Sequence, residues 1–306
     1  MTRLVLVAGG TGTLGRELLP LLMQASLRVR LLTRDPARVG DLAGDQVETV
    51  AGDVRHPATL DAALDGVETV VSAMSGYGPR SGGDPRSVDW LGNSNLIRAA
   101  ERARVGTFIL LSALGAAPGH PMELMRMKYR AEQELKSSRL AWTIIRPALY
   151  METLAETLGE PLSRGGKALI PGRGENPINF VCARDVAYLV ERAVLDPALR
   201  AVEIDIGGPE NLTLKQFAAT IAVAMGTAYS RVQIPRFAIR LVATLATPIN
   251  RAAARLAHDL VVMDAYDFTF DPAPFRARYP WAHLTPLADM LTRRQAATAG
   301  LDLRSD

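Results

Sequence analysis

The chain has 306 residues, 48% of them apolar and 22% charged, with a formal net charge of +3. That balance describes a globular protein able to bury a core without covalent staples, and the single cysteine, Cys182, excludes an internal disulfide framework. No apolar run approaches the roughly 20 residues of a spanning helix, and no basic stripe interleaved with aromatics points to nucleic acid. A strand-like run starts at Leu4, so the expectation is a soluble, cytoplasmic protein with no signal peptide and no membrane span. Cys182, after strand-like "INFV", reads as a small buried hydrophobe rather than a nucleophile.

Short β-branched runs alternate with helical patterns through the first half. Strands are predicted at 4–9, 29–34, 47–53, 69–74, 107–113 and 142–147, each apolar on both faces as parallel strands covered by helices are. Helices are predicted between them at 13–24, 57–65, 88–104 and 122–138. The alternation implies right-handed crossovers and a doubly wound parallel sheet. Past Pro147 the rhythm changes. The glycine-rich "RGGKALIPGRGENPINFV" reads as a hairpin and "ARDVAYLVERAVLDP" as a helix, with a further strand at 201–208. Thr213 is an N-cap candidate for a helix closed by Gly226. Residues 235–266 read as two helices split at Pro248, and a short helix follows "HLTPLADML". The stretch 237–247, "FAIRLVATLAT", is an apolar helix that would suit a membrane or a hydrophobic substrate, with packing against the core the commoner reason for such a stripe.

The first strand runs into Gly9, Gly12 and Gly15. Gly9 permits a tight turn, Gly12 lets the backbone approach a pyrophosphate, and Gly15 permits close packing of the following helix. That helix, starting near Thr13, points free N–H groups at phosphate, and Pro20 is expected to perturb it at about its second turn, downstream of the phosphates. A strand before the glycines and a helix and second strand after them are the context that makes this motif a nucleotide site.

"VAGGTGTLGREL", "GDV" at 52–54, "FILLSALGA" at 108–116, "KYRAEQEL" at 128–135 and "WTIIRPALYMET" at 142–153 together resemble the atypical short-chain dehydrogenase/reductases, in particular their NmrA-like branch. The resemblance covers about residues 3–225 and includes "PINFVCARDVAYLV" and "GGPENLTLKQFA". It implies a Rossmann NAD(P)-binding domain over 1–148 and a smaller substrate-binding region over 149–306 that covers the strand carboxyl ends, with 201–208 returning a strand to the sheet. It also implies a cofactor set of Gly9, Thr11, Gly12, Thr13, Leu14, Gly15, Arg34, Arg38, Asp53, Val54, Ala73, Lys128 and Pro147, with Asp53 against the adenine.

An NAD-selective site places an acidic residue at the end of the second strand, on the ribose 2′-hydroxyl. Here that position reads Thr33, Arg34, Asp35, Pro36, with Arg38 one helical turn beyond Arg34. Paired guanidiniums suit a 2′-phosphate, so the expected cofactor is NADPH, with NAD less favoured. Asp35, turned inward, would make the opposite choice.

The resemblance also implies a serine, a tyrosine and a lysine, the last two spaced YxxxK on one helix face, in which the lysine lowers the tyrosine pKa for proton exchange with a carbonyl. Lys128 matches the lysine. Leu124 stands where the tyrosine would be, and Ala113 where the hydroxyl would be, one place after Ser112. The standard relay is therefore missing, and Tyr77, Tyr129 and Tyr150 are read as loop or packing tyrosines. Lys128 remains as a holder of ribose hydroxyls, or as an acid. No metal-ligand spacing joins His56, His120, His258 and His283. The expected activity is hydride transfer from NADPH to a small, largely apolar acceptor such as a quinone, enone or imine-like compound. The alternative is a non-catalytic NADP(H)-binding redox sensor or assembly partner, which NmrA-like proteins imply. A sugar-nucleotide epimerase or dehydratase fits less well, because it would rely on the missing tyrosine.

Overall fold

The computed structural model describes residues 3–39, 44, 46–77, 84–246 and 249–298. The chain forms two compact units, Met1–Pro147 with Val186–Ile206, and Ala148–Asp185 with Gly207–Asp306. The first is built on a seven-stranded sheet of β1 (Leu4–Ala8), β2 (Arg28–Thr33), β3 (Val47–Ala51), β4 (Thr69–Ser72), β5 (Thr107–Leu111), β6 (Ala141–Pro147) and β10 (Val202–Ile206), in the order β10-β6-β5-β4-β1-β2-β3. Every pairing is parallel, so the fold is the doubly wound α/β arrangement with its switch point between β1 and β4. Helices α1 (Thr13–Gln24), α2 (Leu91–Arg102) and α3 (Glu123–Lys136) form three of the crossovers.

Strand composition follows position in the sheet. All residues of β1, β4 and β5 are buried, which is why they read as unbroken apolar runs. β3 at one edge alternates, and its Glu48 lies opposite Arg30 of β2, with Arg30 Nε 2.7 Å from the carboxylate. Phe108, Leu6, Leu110 and Ile144 fill the core beneath the sheet face, together with Leu96 and Ala131 from the helices.

The structure corrects two expectations here. The segment 57–65 is not a helix but two separate 3-10 turns, Pro57–Thr59 and Ala62–Leu64, short pieces in which the residue before the first turn supplies no side-chain cap. Pro20, by contrast, lies inside a helix that continues through it.

The second unit holds β7 (Leu149–Tyr150), α4 (Met151–Ser163), β8 (Ala168–Pro171), β9 (Ile178–Val181), β11 (Asn211–Leu212), α6 (Leu214–Ala224), β12 (Arg231–Ile234), α7 (Arg236–Ala246), α8 (Arg251–Met263), α9 (Pro272–Arg278) and α10 (Leu287–Thr298). Helix α5 (Ala183–Leu195) begins in its sequence range. The hairpin expected at 164–181 does not form. β8 pairs in parallel with β12, whereas β9 pairs with β11 and β7. Gly172 and Gly174, at φ +65° and +64°, turn the chain between them, and the buried Asp264 carboxylate accepts from the N–H groups of Arg173 at 3.0 Å and Gly174 at 3.1 Å. The turn is thus held by a distant carboxylate rather than by strand pairing. Pro248 lies outside the described residues; α7 and α8 flank it.

Cys182 is 2% exposed, its thiol pushed up by burial and by Glu152, as suits a packing residue. Thr213 caps α6 through a reciprocal capping box with Gln216, Oγ1 accepting from Gln216 N–H at 3.1 Å and Gln216 Oε1 from Thr213 N–H at 2.9 Å. Replacing Thr213 by Ala is expected to cost about 1 kcal/mol, read as a lower midpoint in urea with an unchanged slope.

Candidate functional site

Because the sheet is parallel, the carboxyl ends of β1, β2, β4, β5 and β6 share one edge, and the sequence-predicted residues lie along it. The loop after β1 occupies the switch point. Gly9 has φ +92°, and a Cβ there would stand 2.6 Å from the carbonyl oxygen of Ala73, at the end of β4. No side chain fits, so Gly9 and Ala73 touch backbone to backbone. A Cβ on Gly15 would stand 2.2 Å from Gly10 O; its requirement is thus the folded-back loop itself rather than the sheet. Gly12 N–H donates to Gly9 O at 3.0 Å and precedes α1 as its cap residue, without a side-chain cap bond. The first turn of α1 also lacks an acidic residue. Unsatisfied N–H groups at a helix start whose first turn carries no acidic residue fit an anion, and the glycine cradle fits the pyrophosphate of a dinucleotide.

The remaining loop residues divide by what they can offer. Thr11 is exposed and Thr13 half-buried. Leu14, 4% exposed, has its side chain in the core, leaving its backbone for a ligand. Val54 likewise packs in the core and its carbonyl accepts from Asn95 Nδ2 at 2.8 Å. Pro147 ends β6, buried, its carbonyl accepting from Leu114 N–H at 2.9 Å. Asp53 holds Arg55 through a 2.6 Å ion pair and accepts from Arg55 N–H at 2.9 Å. The guanidinium keeps its carboxyl below the usual carboxylate range. Asp53 does not cap the turn at Pro57, whose cap position is His56.

At the end of β2, Arg34 is exposed. Asp35 caps the 3-10 turn Pro36–Arg38, its Oδ1 accepting from Ala37 N–H at 3.1 Å. Arg38 closes that turn in backbone, and its side chain lies outside the described residues.

Lys128 is buried on α3, where its ammonium donates to Met74 O at 3.0 Å and Leu111 O at 2.9 Å and pairs in charge with Asp89 Oδ1 at 3.0 Å, an oxygen that accepts no hydrogen bond. Two of its three N–H donors are thus taken by backbone carbonyls. It therefore ties the ends of β4 and β5 to Asp89, itself completely buried and accepting from Gly76 N–H at 2.8 Å. Leu124, one turn before it, is half-buried and supplies no hydroxyl. Ser112 points away from a catalytic role as well, its Oγ donating to the buried Glu132 carboxylate. Glu132 also takes a two-pronged bond from Arg146, Nε at 2.8 Å and Nη2 at 2.5 Å, and this pairing raises the Arg146 pKa. Sequence reading missed Asp89 and Glu132. The signal for Glu132 was its spacing of four from Lys128 within the same motif; for Asp89, in a helix start that also carries Asp84, Arg86 and Ser87, there was none.

Of the tyrosines, Tyr77 follows β4, half-buried, next to residues 78–83 that lie outside the described set. Tyr129 is half-buried on α3. The Tyr150 phenol, in the second unit, is pushed up by burial and by Glu152, which makes it a weaker acid. Among the described residues no cluster of three His, Cys, Asp or Glu could hold a metal ion.

His120, 3% exposed, lies in the connection from β5 to α3. Nδ1 accepts from Met122 N–H at 3.0 Å, so the proton of the neutral ring sits on Nε2. Burial, then the charge of Arg126, holds its pKa below the ordinary 6.5.

The family model for NAD(P)H-binding matches residues 9–197. An NAD(P)H azoreductase of Xenophilus azovorans is 33% identical over 223 residues, 73% of this chain and 74% of that protein. A photosystem II assembly factor, Ycf39 of Trieres chinensis, is 26% identical over 79% of this chain and 75% of its own length. Among solved structures, an NADPH-dependent quinone oxidoreductase from Escherichia coli in complex with NADPH superposes with a TM-score of 0.75 at 22% identity, covering 95% of this chain and 99% of the other. At that identity the likeness is one of fold.

Two predictions follow from the buried charges. Asp89→Asn leaves the Lys128 ammonium without its counter-charge, and is expected to cost about 3–5 kcal/mol in denaturant unfolding. Because the His120 pKa is depressed in the folded chain, the unfolded chain binds the extra proton, so the stability this group contributes is present above about pH 6.5 and lost as pH falls through its lowered value. Thermal midpoints measured from about pH 7 to 5 are expected to fall more steeply for the wild type than for His120→Gln.

Proposed function

The chain belongs to the NAD(P)H-binding family, among the atypical short-chain dehydrogenase/reductases, and on that premise we propose that it is an NADPH-dependent reductase of small, largely apolar acceptors, quinones, enones or imine-like compounds. The observation that carries this reading is a complete dinucleotide loop at the switch point beside a site whose phenol position is Leu124 and whose nearest serine hydroxyl is bound to Glu132. Acceptors whose reduced form takes its proton readily from water do not need a phenol from the protein.

When bound, NADPH supplies the hydride. The residues then have these roles. The N–H groups opening α1 and the glycine backbone hold the pyrophosphate. Arg34, with Arg38, takes the 2′-phosphate, a task for which guanidinium is suited. Asp35 supports the phosphate choice because its carboxylate already caps the following turn. Lys128 acts first through position, holding the carbonyls of Met74 and Leu111, and its third N–H, balanced in charge by Asp89 but not bonded to it, would serve a ribose hydroxyl of the bound nucleotide. Leu14 and Val54 shape the wall from the core side. The azoreductase relative and the quinone oxidoreductase neighbour carry names that agree with such acceptors.

A second reading, nucleotide binding without turnover in service of an assembly partner, is favoured by the same Leu124 and by the Ycf39 relative. Calorimetric titration with NADPH, NADP, NADH and NAD separates the parts. Tight NADPH binding is expected, weakened at least about tenfold by Arg34→Ala, the loss of one charge-assisted contact, with NADH binding little changed. NADPH oxidation with a quinone and an azo compound then supports the reductase. Tight binding with no acceptor reduced assigns the chain to the second reading, and equal affinity for NADH and NADPH overturns the cofactor assignment.

A further inference from the structure

From Asn211 to His258 the chain runs 48 residues without an aspartate or glutamate, while carrying Lys215, Arg231, Arg236, Arg240, Arg251 and Arg255. The same stretch holds ten of the fifteen large apolar side chains exposed among the described residues, a concentration that scattered surface hydrophobes would not produce. Its centre is α7, which is amphipathic in the inverted sense. Phe237, Leu241 and Leu245 recur every four residues along one face and are 74%, 55% and 62% exposed, whereas Ile239 on the opposite face is buried. Ile249, between α7 and α8, is 88% exposed. An ordinary surface helix turns its polar face to water.

The charges border this stripe. Arg240 is exposed and lies three residues from Phe237, hence beside it on the helix surface. Arg251 opens α8, also exposed. Neither makes an ion pair among the described residues. Arg236 differs, being committed to Asp264.

We propose that the α7–α8 pair is a docking surface for an anionic lipid bilayer, with Phe237, Leu241, Leu245 and Ile249 entering the acyl boundary and Arg240 and Arg251 meeting headgroup phosphates. The rim carries one sign of charge, which complements a continuous anionic plane. A second copy of the chain meeting this face through a two-fold axis would set arginine against arginine. The surface lies on the membrane and does not span it: α7 has 11 residues, about 16 Å of helix, and no described helix is long and apolar enough to cross.

The test is sedimentation of the full chain with vesicles of phosphatidylcholine containing about a third phosphatidylglycerol, against phosphatidylcholine alone, at low and high salt. Binding to the anionic vesicles that salt weakens is expected. Phe237→Glu with Leu241→Glu is expected to weaken it at least about tenfold, and Arg240→Glu with Arg251→Glu to weaken it while leaving far-ultraviolet dichroism and thermal midpoint unchanged. The second pair, at exposed charged positions, keeps the test valid if the first pair perturbs folding. Failure to sediment with either vesicle overturns the proposal, as does equal binding to both. So does self-association, abolished by the Phe237 and Leu241 changes, in a protein that ignores vesicles; the stripe then belongs to a second copy.

Discussion

At the end of β1 the backbone passes so near the end of β4 that a single extra carbon on Gly9 would collide with the Ala73 carbonyl. That close approach is the constraint on which the first unit depends. It exists because β1 and β4 are neighbours at the point where strand order reverses, and there the connections leave in opposite directions and open a crevice at the strand ends. The loop must fold back within that space, which forces Gly15 against Gly10 and delivers α1 with its first N–H groups uncapped. Packing and ligand chemistry therefore impose the same demand on the same glycines, and neither can be altered without the other.

Behind that loop, charge does the work usually given to apolar packing. Lys128 with Asp89, and Arg146 with Glu132, are ion pairs whose carboxylates are completely buried. Each is tolerable because partners surround the charges: backbone carbonyls for Lys128, Gly76 N–H for Asp89 Oδ2, the Ser112 hydroxyl for Glu132, with Asp89 Oδ1 balanced by the Lys128 charge alone. A buried charge is retained cheaply only where such partners are in place. A lysine bonded to two carbonyls and paired with a buried carboxylate, and a serine already donating, are groups arranged to hold strands in place.

The second unit uses buried carboxylates in the same way. Asp264 holds the turn after β8, and Asp185 accepts from both the N–H and the hydroxyl of Thr285, a hundred residues away. Its outer face follows a different rule. Where α7 would be expected to present polar residues, it presents a stripe of large apolar ones bordered by arginine, so the acid-free stretch and the inverted helix describe one surface.

The parallel strands, the first crossover helix and the glycine loop were legible in the residues because each depends on a local pattern, unbroken apolar runs for buried strands and glycine where no Cβ fits, as does the N-cap residue Thr213. The Leu124 and Ala113 substitutions were legible too, since they are differences of residue type at counted positions. What only the tertiary structure decided was partnership. "ALIP" and "INFV" read as a hairpin, yet each pairs with a strand tens of residues away, because two glycines and a distant carboxylate turn the chain between them. Lys128 read as a ligand for ribose, yet its ammonium bonds two carbonyls and pairs with a carboxylate that no spacing rule connects to it. The apolar stripe of α7 read as core, and periodicity alone could not say otherwise: it fixes which residues share a face of a helix, while the packing of the whole unit decides whether that face turns inward or toward solvent.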